Sequence, residues 1–148
     1  MINKKYRVDN KEQLKEYKKE HKTECFARES LKRIFTNWKG SRKESEKIIG
    51  YSLNNLKEHL SKFGDIKNKQ NTVDHIIPIS YLSKLIHNKE DLARWSNRLP
   101  NLMLLSKSEN SSKHAKLTIE HIPLFHLPAF IDYCLELDAF VSSLSLLK

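Results

Sequence analysis

Val73-Asp74-His75-Ile76-Ile77-Pro78-Ile79-Ser80 sets a carboxylate and an imidazole side by side inside an apolar run that proline closes. The β-branched residues read as a buried strand. An ionisable pair in such a strand is costly to bury unless something compensates it. A metal ion, a proton-transfer role, or both would do so. Downstream, Leu102-Met103-Leu104-Leu105 is a second apolar run, read as a strand pairing with the first. Between the two, Tyr81 to about Ser96 has a helical apolar pattern (Leu82, Leu85, Ile86, Leu92, Trp95), and Pro100 marks a break. After the second run, residues 106–114 are polar, and Ser106 or Ser108 suits the cap of a helix running toward Leu117.

The chain has 148 residues, 39% apolar and 30% charged, which suits one soluble domain. No apolar run approaches the roughly 20 residues of a membrane span. Met1 to Lys5 lacks the apolar centre of a signal peptide, so a cytoplasmic protein is expected. Cys25 and Cys134 lie far apart in apolar helical patterns. They read as buried thiols, with no structural Cys₄ zinc. Any metal would take oxygen and imidazole ligands. The net charge of +9 is uneven. Residues 1–69 hold 19 Lys and Arg against 10 Asp and Glu, and residues 70–148 hold 8 of each. A basic half favours a polyanion, nucleic acid first; a Lys-rich solvated surface is the plain alternative.

Residues 11–38 read as one long helix, with Leu14, Tyr17, His21, Cys25, Arg28, Leu31, Phe35 and Trp38 at three- and four-residue steps and Gly40 ending it. Its face with Lys15, Lys18, Lys19, Lys22, Lys32 and Arg33 is suited to a phosphate backbone. Residues 40–51 read as a polar connection. Ser52 suits an N-cap, and Leu53, Leu56, Leu60 and Phe63 form one apolar face before Gly64-Asp65. Residues 117–128 are turn-like, and 129–147 form an apolar helix that packs on the core or supplies an oligomer interface. The organisation expected is one α+β, mostly helical domain over 1–148: a basic gripping part at 1–69, a core at 70–116, and a packing helix at 117–148.

The chemistry-bearing residues fall around the two strands. Asp74-His75 ends the first, Asn101 precedes the second, and Asn110 and Lys113 share one face of the following helix. Asp and Asn oxygens suit a hard cation such as Mg²⁺. A neutral imidazole suits a general base acting on water, and Lys113 suits a phosphate oxygen. Plainer roles stand beside these: Asn110 as a helix cap, Asn101 as a turn residue after Pro100, Lys113 and His114 as solvated side chains. Arg94 and Arg98 suit DNA, or pairing with Glu90 and Asp91.

Together, Asp74-His75-Ile76-Ile77-Pro78-Ile79-Ser80, Asn101-Leu102-Met103-Leu104-Leu105 and Asn110-Ser111-Ser112-Lys113 resemble the HNH endonuclease motif in its H-N-N variant. The nine-residue step from Asn101 to Asn110 also resembles the HNH domain of CRISPR effectors. Leu31-Lys32-Arg33 and the segment from Ile48 to Leu60 are similar to the region ahead of the motif in small stand-alone phage and bacterial HNH nucleases. The resemblance covers roughly residues 28–116. It implies a ββα-metal (His-Me finger) core and hydrolysis of DNA phosphodiesters, double-stranded DNA first, and leaves room for a phage-encoded chain. It further implies Asp74 and Asn110 as ligands of Mg²⁺, Mn²⁺ or another divalent cation, His75 as general base, Asn101 as the tie that orients the base, and Lys113 as a secondary phosphate contact. Lys32 and Arg33 on the basic helix face, and His114, are further phosphate candidates read from the residues themselves. An imidazole base with an ordinary pKa near ~6.5 must be neutral, so activity is expected to fall on acidification. The alternatives are a non-catalytic DNA-binding or packaging accessory on the same fold, and an RNA-directed or toxin-type nuclease. The C-terminal helix is the candidate homodimer interface.

Overall fold

The computed structural model describes residues 10–36, 38–113 and 119–146. The architecture is α+β and mostly helical. Among the described residues, four helices precede the first strand: α1 (Lys11–Glu20), α2 (Lys22–Ile34), α3 (Arg42–Ile49) and α4 (Leu53–Ser61). Strand β1 (Asn71–His75) leads to a one-turn helix α5 (Ile79–Leu82), helix α6 (Lys89–Ser96) and a 3₁₀ turn (Leu99–Asn101). Strand β2 (Leu102–Ser106), α7 (Lys107–Lys113) and α8 (Leu127–Ser145) complete the order.

The expected long helix over 11–38 is two helices. At His21 the backbone leaves helical geometry (φ −112°, ψ 33°), with its ring stacked on Tyr17 at 4.3 Å. Amide bonds from His21 N to Tyr17 O and from Cys25 N to His21 O, both 2.9 Å, carry the chain through the bend. The bend rotates the apolar stripe. The buried side of α2 is Ala27, Ser30, Leu31 and Ile34, and Arg28, expected on that stripe, is exposed. The helix stops at Ile34, because Phe35 is extended.

Residues 42–49, expected as a polar connection, form α3. Ser41 caps it by accepting from Glu44 N at 3.3 Å, while Ser41 N donates to Glu44 Oε2 at 2.8 Å. This reciprocal box satisfies two otherwise orphaned amides. Gly50, at φ 89°, ends the helix in the left-handed conformation that glycine adopts without a Cβ penalty. Ser52 caps α4 as expected, accepting from Asn55 N, and Leu53, Leu56 and Leu60 are buried.

β1 and β2 pair antiparallel, with Asn71 opposite Ser106 and His75 opposite Leu102. The first strand therefore ends at His75, as expected from the placing of Asp74-His75 at its end, and does not run through the apolar stretch to Ser80. Ile76 and Ile77 are buried in a bend, and Ile79 already begins α5. Leu102 to Leu105 are all buried, so the apolar run without alternation reports a strand covered on both faces. α7 packs against both strands and α4 against β2. Ser106 caps α7, accepting from Glu109 N at 3.2 Å, and Glu109 Oε2 accepts from Ser106 N at 3.0 Å.

α8 seats one face on the core through Phe130, Tyr133 and Leu137. Tyr133 Oη donates to Trp95 O at 2.8 Å. Arg98 pairs with Glu136 at 2.5 Å and lies over the Trp95 ring. Cys25 and Cys134 are free thiols, each half-buried. No helix among the described residues is long and apolar enough to cross a membrane.

Candidate active site

The two strands and α7 bring the chemistry-bearing residues to one broad groove. Asp74, His75 and Asn110 line it together, along with Phe26, Lys32 and Arg33 of α2. Neighbouring side chains on a strand point to opposite faces. Asp74 and His75 nevertheless both border the groove, because the strand ends at His75 and the chain bends at once. Asp74 and Asn110 are half-buried; His75 is 5% exposed.

Asn101 is fully buried and holds the bend. Its Oδ1 accepts from Ile77 N at 2.7 Å, and its Nδ2 donates to Ile77 O at 3.2 Å and to Ser96 O at 2.9 Å. Its backbone carbonyl accepts from Ile76 N at 2.7 Å. One side chain thus closes the base of the long β1–β2 connection and fixes the residues just after His75.

The His75 ring packs against Phe26, with ring centroids 5.0 Å apart. Its Nε2 lies 3.1 Å from Asn97 Oδ1. Asn97 is buried at the end of α6, with Nδ2 donating to Ala93 O at 2.9 Å. Ser30 Oγ, buried on α2, lies 3.0 Å from the same Oδ1. Tyr51 Oη donates a short hydrogen bond to Asn97 O. Burial pushes the Tyr51 phenol well up, which keeps it a donor. Asn97, Ser30, Phe26 and Tyr51 were not singled out from the sequence. A serine among Ala27, Leu31 and Ile34 on the buried side of a helix is the one signal that pointed to a buried polar contact.

The groove is basic. Among the described residues, eleven Lys and Arg line it against five Asp and Glu. Lys32 lies 3.4 Å from Glu29, an exposed pair of little strength. Lys22, expected on the phosphate-facing side, is engaged elsewhere: its Nζ donates to Asn71 O at 2.8 Å and Asn68 O at 3.0 Å, tying α2 to the start of β1. Burial, and then Lys107, lower its pKa. Arg94 is exposed and Arg98 is committed to Glu136; neither lines the groove. The Lys113 side chain and all of His114 lie outside the described residues.

No three His, Cys, Asp or Glu come together among the described residues. A cation at this groove would rest on the Asp74 carboxylate and the Asn110 amide oxygen, with water and substrate oxygens filling its shell. That sparse, all-oxygen donor set fits a hard divalent ion of the Mg²⁺ type.

A family model described as the C-terminal domain of GmrSD restriction endonucleases matches residues 26–118, more than half of the chain and including both strands and α7. No curated protein and no solved structure matches significantly.

Proposed function

The chain belongs to the family of C-terminal domains of GmrSD restriction endonucleases, and from that premise we propose that it is a DNA nuclease hydrolysing phosphodiester bonds by HNH chemistry on a ββα-metal core. The observation that carries the reading is that Asp74, His75 and Asn110, from β1 and α7, line one basic groove. Asp74 and Asn110 would hold Mg²⁺ or a similar divalent ion. Bound there, the ion supplies charge stabilisation at the scissile phosphate and the 3′ oxygen.

His75 takes a proton from the attacking water as the new P–O bond forms. The bond from phosphorus to the 3′ oxygen breaks, giving a 5′-phosphate and a 3′-hydroxyl. Asn101 keeps the base in place by holding Ile77 on both its amide and its carbonyl. Lys32 and Arg33, which line the groove, grip the DNA backbone, with Lys113 and His114 as further phosphate contacts. Such contacts position the duplex and do not read its sequence. Incubating the protein with duplex DNA, single-stranded DNA and RNA, in Mg²⁺ and in EDTA, tests this. Metal-dependent cleavage of duplex DNA is expected. Cleavage of RNA alone, or none with any substrate, would remove the reading.

Cutting both strands needs two sites. Ile131 and Leu135 are 49% and 66% exposed on α8, and this face is proposed as a homodimer contact. Sedimentation equilibrium of the full chain should then show a dimer that Leu135→Glu dissociates; a monomer throughout would leave the enzyme a nickase or a two-visit cutter.

A further inference from the structure

We propose that Asn97 is the positioning residue for His75, holding the imidazole as the Nε2–H tautomer so that the proton-accepting lone pair lies on Nδ1. This rests on the nuclease reading of His75 as general base. Asn97 is not part of the motif that marks the site.

The assignment follows from a chain of donors and acceptors. An Asn amide has one oxygen that only accepts and one nitrogen that only donates. Which end is which must be settled by its neighbours. The nitrogen end of Asn97 lies 2.9 Å from the Ala93 carbonyl, an acceptor with no hydrogen to give. Turning the amide over would put two oxygens in contact there, inside a residue with 1% exposure. The amide is therefore fixed as drawn, and its oxygen faces both Ser30 Oγ and His75 Nε2. An acceptor-only oxygen 3.1 Å from a ring nitrogen requires a hydrogen on that nitrogen. In a neutral imidazole the hydrogen on Nε2 places the lone pair on Nδ1.

Each supporting group is itself anchored. Ser30 donates from the buried side of α2, sharing its hydroxyl hydrogen between Asn97 Oδ1 and Ala27 O. Tyr51 fixes the Asn97 backbone carbonyl from the turn after α3. Two segments before the first strand, α2 and the turn after α3, thereby converge on the one residue that sets the base's tautomer. The ring cannot rotate about its own axis without losing that bond while Phe26 covers it. Orientation of a base by a buried acceptor on its second nitrogen is worth large factors in rate, because the wrong tautomer presents a hydrogen where a lone pair is needed.

Two measurements on the full chain test this. Long-range ¹⁵N–¹H correlation, at a pH where the ring is neutral, should show His75 protonated on Nε2 and not on Nδ1; hydrogen on Nδ1 overturns the proposal. Asn97→Ala should lower kcat by roughly 10²-fold or more. KM and the affinity for DNA in EDTA should change less than about twofold, the signature of a lost catalytic interaction with binding intact. A folded Asn97→Ala with wild-type kcat also overturns the proposal. If Asn97→Ala fails to fold, the wild-type tautomer still decides. Absence of cleavage by the wild type with Nε2–H in place would bring down the nuclease reading and leave the tautomer assignment standing.

Discussion

Asn101 has no exposed surface, and its side chain is spent on the backbone of residues 77 and 96. Leaving a buried donor or acceptor without its partner costs roughly 1–3 kcal/mol. Asn101→Ala strands Ile77 N, Ile77 O and Ser96 O together, so denaturant titration should show a loss of at least about 2 kcal/mol. A loss below about 0.5 kcal/mol would mean that the bend after His75 holds itself. At this scale the candidate site was partly legible. Asp74, His75 and Asn101 stand out because ionisable or amide residues beside apolar strands are unusual. Asn97 did not stand out, because Asn is an ordinary residue at a helix end. Its partners Ser30 and Tyr51 lie 67 and 46 positions away in the chain, and only the fold brings them together.

Elements were legible where local chemistry decided them. Ser52 capping α4, Ser106 capping α7 and the apolar run of β2 are local signals, and each element formed where they pointed. α3 carried a local signal too, the Ser41-x-x-Glu44 box, within a stretch whose polar composition resembles a connection. The extent of β1 was not local. Ile76, Ile77 and Ile79 favour a strand, but its partner β2 begins at Leu102, opposite His75, and the Asn101 side chain takes the Ile77 groups that a longer ladder would have used.

The segment entering α8 makes a prediction of its own. His126 Nε2 lies 2.8 Å from Pro100 O, and His59 Nε2 lies 2.8 Å from Leu102 O, with the rings 5.2 Å apart. Burial lowers the pKa of both, Lys62 adds to it, His126 further lowers His59, and the carbonyl bonds oppose the shift. A base whose folded pKa is depressed binds more protons when unfolded, so stability rises with pH. The contribution is full above the unfolded value near ~6.5 and is lost as pH falls from there toward the folded pKa values. Thermal melts should show a lower midpoint at pH 5.5 than at 7.5, and His126→Gln should flatten that dependence. An unchanged slope in the variant would place the pH response elsewhere.

Across the whole molecule, charge and fold divide the labour. Among the described residues, nine Lys and Arg of residues 1–69 line the groove, which Asp74 and His75 of β1 and Asn110 of α7 also border. Composition made this asymmetry visible, but only the fold shows that one of the groove-lining lysines, Lys22, has its ammonium tied to two carbonyls. Replacing Lys32 and Arg33 with Glu should weaken binding to duplex DNA for every sequence alike and lower the slope of log affinity against log salt by about 1–2. An unchanged salt slope would take α2 out of the interface.

The most direct test of the central claim is plasmid cleavage by the wild type and by His75→Ala, each in Mg²⁺ and in EDTA. With His75 as the base, nicked or linear plasmid is expected from the wild type in Mg²⁺, none in EDTA, and a loss of about 10²-fold or more in His75→Ala with DNA binding retained. Equal cleavage by His75→Ala and wild type would contradict it.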